Sequence, residues 1–181
     1  MLIRKAEEKD LEELLNIYNY EVVNGIATFD LHPKTLQERR IWFDAHNIDN
    51  HPLIVAEIDG HVAGYASLSA YREKEAYRST VELSVYVGPD YRKRGVATAL
   101  MREILEMARA DESIHTVISV ITGGNEASIR LHEKYGFTYC GTMHEVGYKL
   151  GSYRDIVNLG TLILTSENLV IFPNISFAMP S

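Results

Sequence analysis

The stretch "VYVGPDYRKRGVATALM", residues 85–101, decides the fold. Alternating apolar residues end in a turn at Pro89, a basic loop containing Gly95 follows, and the chain passes without pause into a helix. Arg92, Lys93 and Arg94 stand at the start of that helix, where the backbone dipole favours acidic side chains. A bound anion resolves the conflict. In Arg92-x-x-Gly95-x-Ala97 the small residues allow close approach, and the N–H groups of the first helical turn point outward, an arrangement able to cradle a pyrophosphate. Within residues 89–102, Arg92, Lys93, Arg94 and Arg102 stand against Asp90 alone, although the chain of 181 residues carries a formal charge of −7. The anion site is therefore local, and general nucleic-acid affinity is not expected. Neither GxxxxGK[ST] nor GxGxxG occurs, so other phosphate loops have no support.

Upstream, "STVELSVYV" (79–87) alternates as a strand, with Val81, Leu83, Val85 and Val87 on one face and Glu82, Ser84 and Tyr86 on the other. A carboxylate on a central strand is unusual. "PLIVAEIDGHVAGYASLSAY" holds two strands joined by Asp59-Gly60, a pair suited to a tight hairpin turn. Nearer the start, Leu2–Arg4 reads as a short strand, and Leu11, Leu14, Leu15, Tyr18 and Val22 share one helical face. Thr35-x-x-Glu38 is a capping box, so a second helix is expected from Leu36 toward Ile48, with Ile41, Trp42 and Ala45 on its inner face. Downstream, a helix over about Val96–Arg109, a strand at "HTVISVI", a helix from Asn125 and two strands near 137–148 and 153–164 complete an α+β pattern.

Apolar residues at 46% and charged ones at 24% describe an ordinary globular domain. One domain is expected over 1–164, with a C-terminal extension, 165–181, whose role is open between a docked arm, a partner contact and a dispensable end. Asn174-Ile-Ser176 is a glycosylation sequon, idle in a cytoplasmic protein. No signal peptide or spanning segment is read, and the location expected is cytoplasmic, with no membrane partner. Cys140, the single cysteine, is expected to be a small buried strand residue. The seven histidines have no metal-ligand spacing, so no metal is expected.

The order of these segments resembles the GCN5-related N-acetyltransferase (GNAT) family, whose acetyl-CoA loop has the form [Arg/Gln]-x-x-Gly-x-[Gly/Ala]. Within it the chain is most similar to the phosphinothricin and methionine-sulfone type L-amino acid acetyltransferases. The carrying segments are "IYNYEVVNGIATFD" (17–30), "YREKEAYRSTVELSVYV" (71–87), "PDYRKRGVATAL" (89–100), "GNEASIRLHEKYGF" (124–137) and "VGYKLGSYRDIVNL" (146–159). The resemblance implies a mixed twisted sheet of about seven strands with helices on both faces. It implies acetyl transfer from acetyl-CoA, as cosubstrate, to the primary amine of a small L-amino acid or analogue such as phosphinothricin, methionine sulfone or methionine sulfoximine. Two alternatives stay open: acetylation of a peptide or protein N-terminus, and a silent acyl-CoA-binding module. The resemblance also implies a possible homodimer, to which "LVIF" (169–172) could contribute.

An α-amino group with a pKa of about 8 needs only a modest base. Glu82, on the strand before the loop, suits that role directly or through a water, and the family's proposed base stands at this position. A structural ion pair of Glu82 with Arg78 or Arg72 is the other reading. The N–H of Val85 is the candidate for steadying the thioester oxygen, and the family's splayed strand implies pantetheine pairing at Val85 and Val87. Phosphate contacts are expected from Arg92, Lys93, Arg94, Gly95, Val96, Ala97 and Thr98. Residues 125, 128 and 132 share a helix face, which puts Asn125, Ser128 and His132 along the cofactor groove. Asn125 is a cofactor contact or a helix cap, and His132 is a general acid for the thiolate or a holder of bound water. Tyr135 is read as packing. Arg72, Lys74 and Arg78 are the expected anchors of the substrate carboxylate, with Asp30 as a contact of the substrate amine and Phe29 and Trp42 walling the acceptor pocket.

Overall fold

The structure is a computed structural model that describes residues 1–163. The expectations for the extension, the sequon and "LVIF" lie outside the described residues. Seven strands form one sheet: β1 (Leu2–Lys5), β2 (Leu53–Ile58), β3 (His61–Ala70), β4 (Thr80–Val87), β5 (Thr116–Thr122), β6 (Thr138–Lys149) and β7 (Ser152–Leu162). Their order is β1-β2-β3-β4-β5-β7-β6. Every neighbouring pair is antiparallel except β4 and β5, which α3 (Val96–Ala110) connects as a crossover. The Asp59-Gly60 hairpin turn is present, with φ of 53° and 84° at its two residues.

Alternation along the strands sends side chains to two cores. On one face Val96, Leu100, Met101, Ile104, Leu105 and Ala108 form the inward stripe of α3 against Ile54, Ala66, Leu68, Val81 and Leu83. Ile129 and Leu131 of α4 (Glu126–Lys134) pack on the same cluster. On the other face Leu14 and Ile17 of α1 (Leu11–Asn24) meet Leu53, Val55, Val62 and Tyr65, with Trp42 and Phe43 of α2 (Leu36–Asp44) against them. Each buried aliphatic side chain contributes about 1.5–3 kcal/mol, so both layers hold the sheet. The expected α+β arrangement with helices on both faces is the one observed.

Three local expectations are corrected. The capping box at Thr35 and Glu38 forms, but α2 stops at Asp44 rather than near Ile48. Asn47 and Asp49 take left-handed φ of 57° and 46°, and the Asn47 side chain bonds the amide of Leu53 and the carbonyl of Ala6, turning the chain into β2. Ile41 is exposed, whereas Arg39 is the buried residue of this helix. Cys140 is exposed, not buried, because β6 is an edge strand and its register slips between Tyr139 and Gly141, leaving Cys140 as the unpaired extra residue.

Candidate active site

The site begins where two strands part. Gly88 N–H donates to the Ala63 carbonyl, while the Ser79 carbonyl accepts from His115 and Thr116. Backbone groups of even-numbered β4 residues therefore face β3, and those of Val81, Leu83, Val85 and Val87 face β5. Pairing with β5 covers only Thr80–Glu82 against Thr116–Ile118. Beyond it the Val85 and Val87 edge has no strand partner among the described residues. A cleft of about 560 Å³ opens there, with Leu83, Val85, Val120, Ile121 and Thr122 among its walls.

Past this edge lies the basic loop. Gly95 has φ 81° and opens α3, whose first intrahelical bond runs from Ala99 N–H to the Gly95 carbonyl. The N–H groups of Val96, Ala97 and Thr98 are thus not taken up by the helix, and its first turn holds no acidic residue. Lys93, itself at φ 59°, and Arg94 are exposed. Arg92 is not free: its guanidinium pairs with Glu21 of α1 and lies over the Tyr20 ring. These loop residues and Val87 lie outside the cleft lining, at the end of the open edge.

Glu82 lines the cleft and forms no ion pair among the described residues. Burial pushes its carboxyl above the usual range. Arg72 is stacked on Tyr71 and Tyr77, and Arg78 is exposed, so the alternative of a structural pair with Glu82 has no contact behind it.

Across the cleft, Asn125 caps α4 by accepting from Ser128 N–H at 3.3 Å. His132 is buried edge-on to Phe137, and its Nδ1 lies 2.7 Å from the Ser128 carbonyl. A carbonyl only accepts, so Nδ1 carries the proton. Burial lowers the pKa of the ring, and Nε2, buried with no partner among the described residues, presents a bare lone pair. Tyr135 donates to the Thr98 carbonyl at 2.9 Å, joining α4 to α3 as packing.

At the acceptor end stand Tyr18, Phe29, Asp30, Lys34, Arg39 and Trp42. Burial alone would raise the Asp30 carboxyl, but hydrogen bonds from Tyr18 at 2.6 Å and an ion pair with Lys34 at 3.1 Å hold it below its ordinary value. Burial and that same bond push the Tyr18 hydroxyl up to about 12. The expected carboxylate anchors are not brought here: Arg72, Lys74 and Arg78 are exposed on the turn after β3 and do not line the cleft. Among the described residues the cations that do are Lys34 and Arg39.

Sequence reading missed a further residue, Lys149. Its Nζ, on the last residue of β6, donates to the Thr28 carbonyl at 2.7 Å and the Glu21 carbonyl at 3.2 Å. Phe29 lies over Gly147, where a side chain would collide with the ring. The segment bearing Phe29 and Asp30 is thus pinned to the far edge of the sheet. Only the presence of "VGYKLG" in a resembling segment hinted at this.

The family model described as acetyltransferase (GNAT) family matches residues 9–137. The L-methionine sulfoximine/L-methionine sulfone acetyltransferase of Pseudomonas paraeruginosa is 41% identical over 155 residues, which is 85% of this chain and 90% of that protein. Among solved structures, a phosphinothricin acetyltransferase from Sinorhizobium meliloti in complex with acetyl-CoA superposes with a TM-score of 0.86 at 34% identity, over 89% of this chain and 87% of that one. A ribosomal-protein-alanine N-acetyltransferase from Brucella melitensis also superposes at 0.86, with 41% identity over 90% of this chain and 99% of that one.

Proposed function

The chain belongs to the acetyltransferase (GNAT) family, and we propose that it transfers the acetyl group of acetyl-CoA to the primary amine of a small L-amino acid or analogue of the methionine sulfoximine, methionine sulfone or phosphinothricin type. The observation that carries this reading is the place of Glu82. It is a carboxylate without an ion pair among the described residues, at the point where β4 leaves β5, in the cleft that holds both the open strand edge and the acceptor end.

The residues present fit the cosubstrate. An unpaired strand edge at Val85 and Val87 suits an amide-bearing arm, and the free N–H groups behind Gly95, flanked by Lys93 and Arg94, suit a pyrophosphate. When bound, acetyl-CoA supplies an acetyl group activated as a thioester. Glu82 removes a proton from the acceptor ammonium, directly or through a water, and its raised pKa makes it a better base than an exposed carboxylate. Val85 N–H is the donor placed for the thioester oxygen. His132 acts as an acceptor through its bare Nε2, orienting a water or an N–H group in the cleft; this favours the second of its two sequence readings. Asn125 and Ser128 hold the helix turn that presents it.

A cytoplasmic location and a homodimer belong to the same proposal, with no nucleic-acid partner and no membrane partner. Among the described residues no helix is long and apolar enough to cross a membrane. The exposed Tyr139, Val146, Tyr148 and Tyr153 of the β6–β7 hairpin support a contact with a second copy.

The name of the Brucella relative favours one second reading, acetylation of a protein N-terminus. A thiol-release assay with acetyl-CoA separates the two, using methionine sulfone, methionine sulfoximine, phosphinothricin, common amino acids, polyamines and short peptides as acceptors. Turnover concentrated on free amino acids and their analogues is expected. Turnover confined to peptides would replace this reading with the second.

A further inference from the structure

Glu21 stands where two rules argue against a carboxylate. It is buried, and it lies in the last turn of α1, the helix end whose dipole favours cations, in a turn that holds no basic residue. Its ion partner comes from another element. Oε1 accepts from Arg92 Nη2, in the basic loop before Gly95. The Arg92 side chain is 47% exposed and that of Glu21 12%, so the pair joins the rim of the anion site to the interior.

The same residue holds the root of the acceptor segment. Its other oxygen, Oε2, packs on Gly25, where a Cβ would collide with it and stand 2.7 Å from the carboxylate carbon. Gly25 has φ −119° and ψ 177°, ordinary extended backbone, so glycine is needed here for room alone. The Glu21 carbonyl accepts from Gly25 N–H at 3.0 Å and from Lys149 Nζ at 3.2 Å, and that lysine reaches on to the Thr28 carbonyl. From Gly25 the chain runs into Ala27, Thr28, Phe29 and Asp30, which all line the cleft. One carboxylate thus touches the phosphate loop through one oxygen and the start of the acceptor wall through the other.

We propose that Glu21 is a positioning residue that couples the two ligand sites, so that coenzyme A on the loop tightens the acceptor site and the acceptor tightens coenzyme A in return. The reason lies in the exposure of the pair. With the loop unfilled, solvent screens a half-exposed guanidinium, and the pair holds the carboxylate against Gly25 only weakly. A pyrophosphate on the N–H groups behind Gly95 fixes the loop and Arg92 with it, so the ordering of Glu21 and Gly25 is already met when the acceptor arrives. Among the described residues only Nη2 of Arg92 donates to Glu21, which leaves its other N–H groups for a phosphate. The inference rests on the amino-acid acetyltransferase reading for the identity of the acceptor.

The test titrates methionine sulfone, or the amino acid that the thiol-release panel ranks first, into the protein with and without saturating coenzyme A. The two form no product together, and the ratio of the two Kd values is the coupling factor. It is measured, with Tm, on the wild type, Glu21→Gln, Gly25→Ala, Arg92→Gln and Arg40→Gln, the last removing a surface pair with Glu8. A factor of about 10 is expected in the wild type and in Arg40→Gln, falling to about 1 in the other three. The ratio cancels any loss of intrinsic affinity, including a direct phosphate contact of Arg92. The double variant Glu21→Gln/Gly25→Ala is expected to lose nothing further, because both changes act on one contact. Gly25→Ala keeps the buried charge and Arg92→Gln alters a half-exposed side chain, so a Glu21→Gln protein that does not fold leaves these two to carry the test. A factor near 1 in the wild type, or a wild-type factor kept in these variants while only Tm falls, overturns the inference alone. A wild type that acetylates no amino acid removes the underlying reading, and the inference with it.

Discussion

Glu82 lies opposite Ile118 on the last rung at which β4 and β5 pair. The carboxylate and the opening of the sheet therefore occupy the same step of one strand, and the side chain is half-buried with no ion pair among the described residues. As the base, Glu82 requires that Glu82→Gln lower kcat by about 10²-fold near neutral pH. In the wild type, kcat/KM is expected to fall on the acid side with a midpoint above the ordinary carboxylate value, since burial raises this group. That limb should vanish in the variant. Wild-type turnover in Glu82→Gln at neutral pH would remove Glu82 from the mechanism.

The same burial has a cost to folding. A carboxyl whose pKa is raised in the folded state binds its proton more tightly there, so its stabilising contribution is present at low pH and is lost as pH rises from the ordinary value of 4.5 through the folded one. Glu82→Gln is therefore expected to be more stable than the wild type at neutral pH, with the gain shrinking toward about pH 4. Urea unfolding of both proteins across that range reads the difference. A gain that is constant with pH would place its origin elsewhere.

Much of this geometry is legible in the chain itself, for local reasons. Alternation fixes which face Glu82 occupies, and the helix N-terminus and Gly95 announce an anion site whatever packs around them. Arg39 and Lys149 are not legible, because an arginine in "QERRIWF" becomes a buried side chain only when the sheet decides which helix face turns inward. Adjacent in sequence, Arg39 is buried and Arg40 is paired with Glu8 at the surface. Arg72, Lys74 and Arg78 precede Glu82 closely in sequence, and on the turn after β3 they are exposed and do not line the cleft.

Gly95 is required for its backbone and not for lack of room. Its φ is 81°, and a Cβ there would meet nothing within 4 Å. Gly95→Ala should therefore fold, with a strain of about 1–2 kcal/mol in the loop. Relief of that strain re-aims the N–H groups of Val96 and Ala97, and affinity for coenzyme A is expected to weaken about tenfold, an energy of the same size. Gly95→Trp, which fills the open space as well, should abolish binding. Calorimetric titration with coenzyme A measures both, and an unaltered Kd in the tryptophan variant would show that the anion binds elsewhere.

Lys149 links the far hairpin to the acceptor end. Burial lowers the pKa of its ammonium, and the carbonyls of Glu21 and Thr28 are its hydrogen-bond partners. Lys149→Met keeps most of the apolar stem and removes both bonds, leaving acceptors unsatisfied at a cost of about 1–3 kcal/mol. The segment carrying Phe29 and Asp30 then loses its tether, whereas neither hydrogen-bond partner of the lysine belongs to β4, the basic loop or α4. KM for the acceptor should rise while Kd for coenzyme A stays at the wild-type value. Restoring the tether with Lys149→Arg, whose longer head can still reach a carbonyl, should recover part of the loss. A variant that weakens both ligands equally would mark Lys149 as general support for the fold, and one that changes neither would mean that the segment holds its place without it.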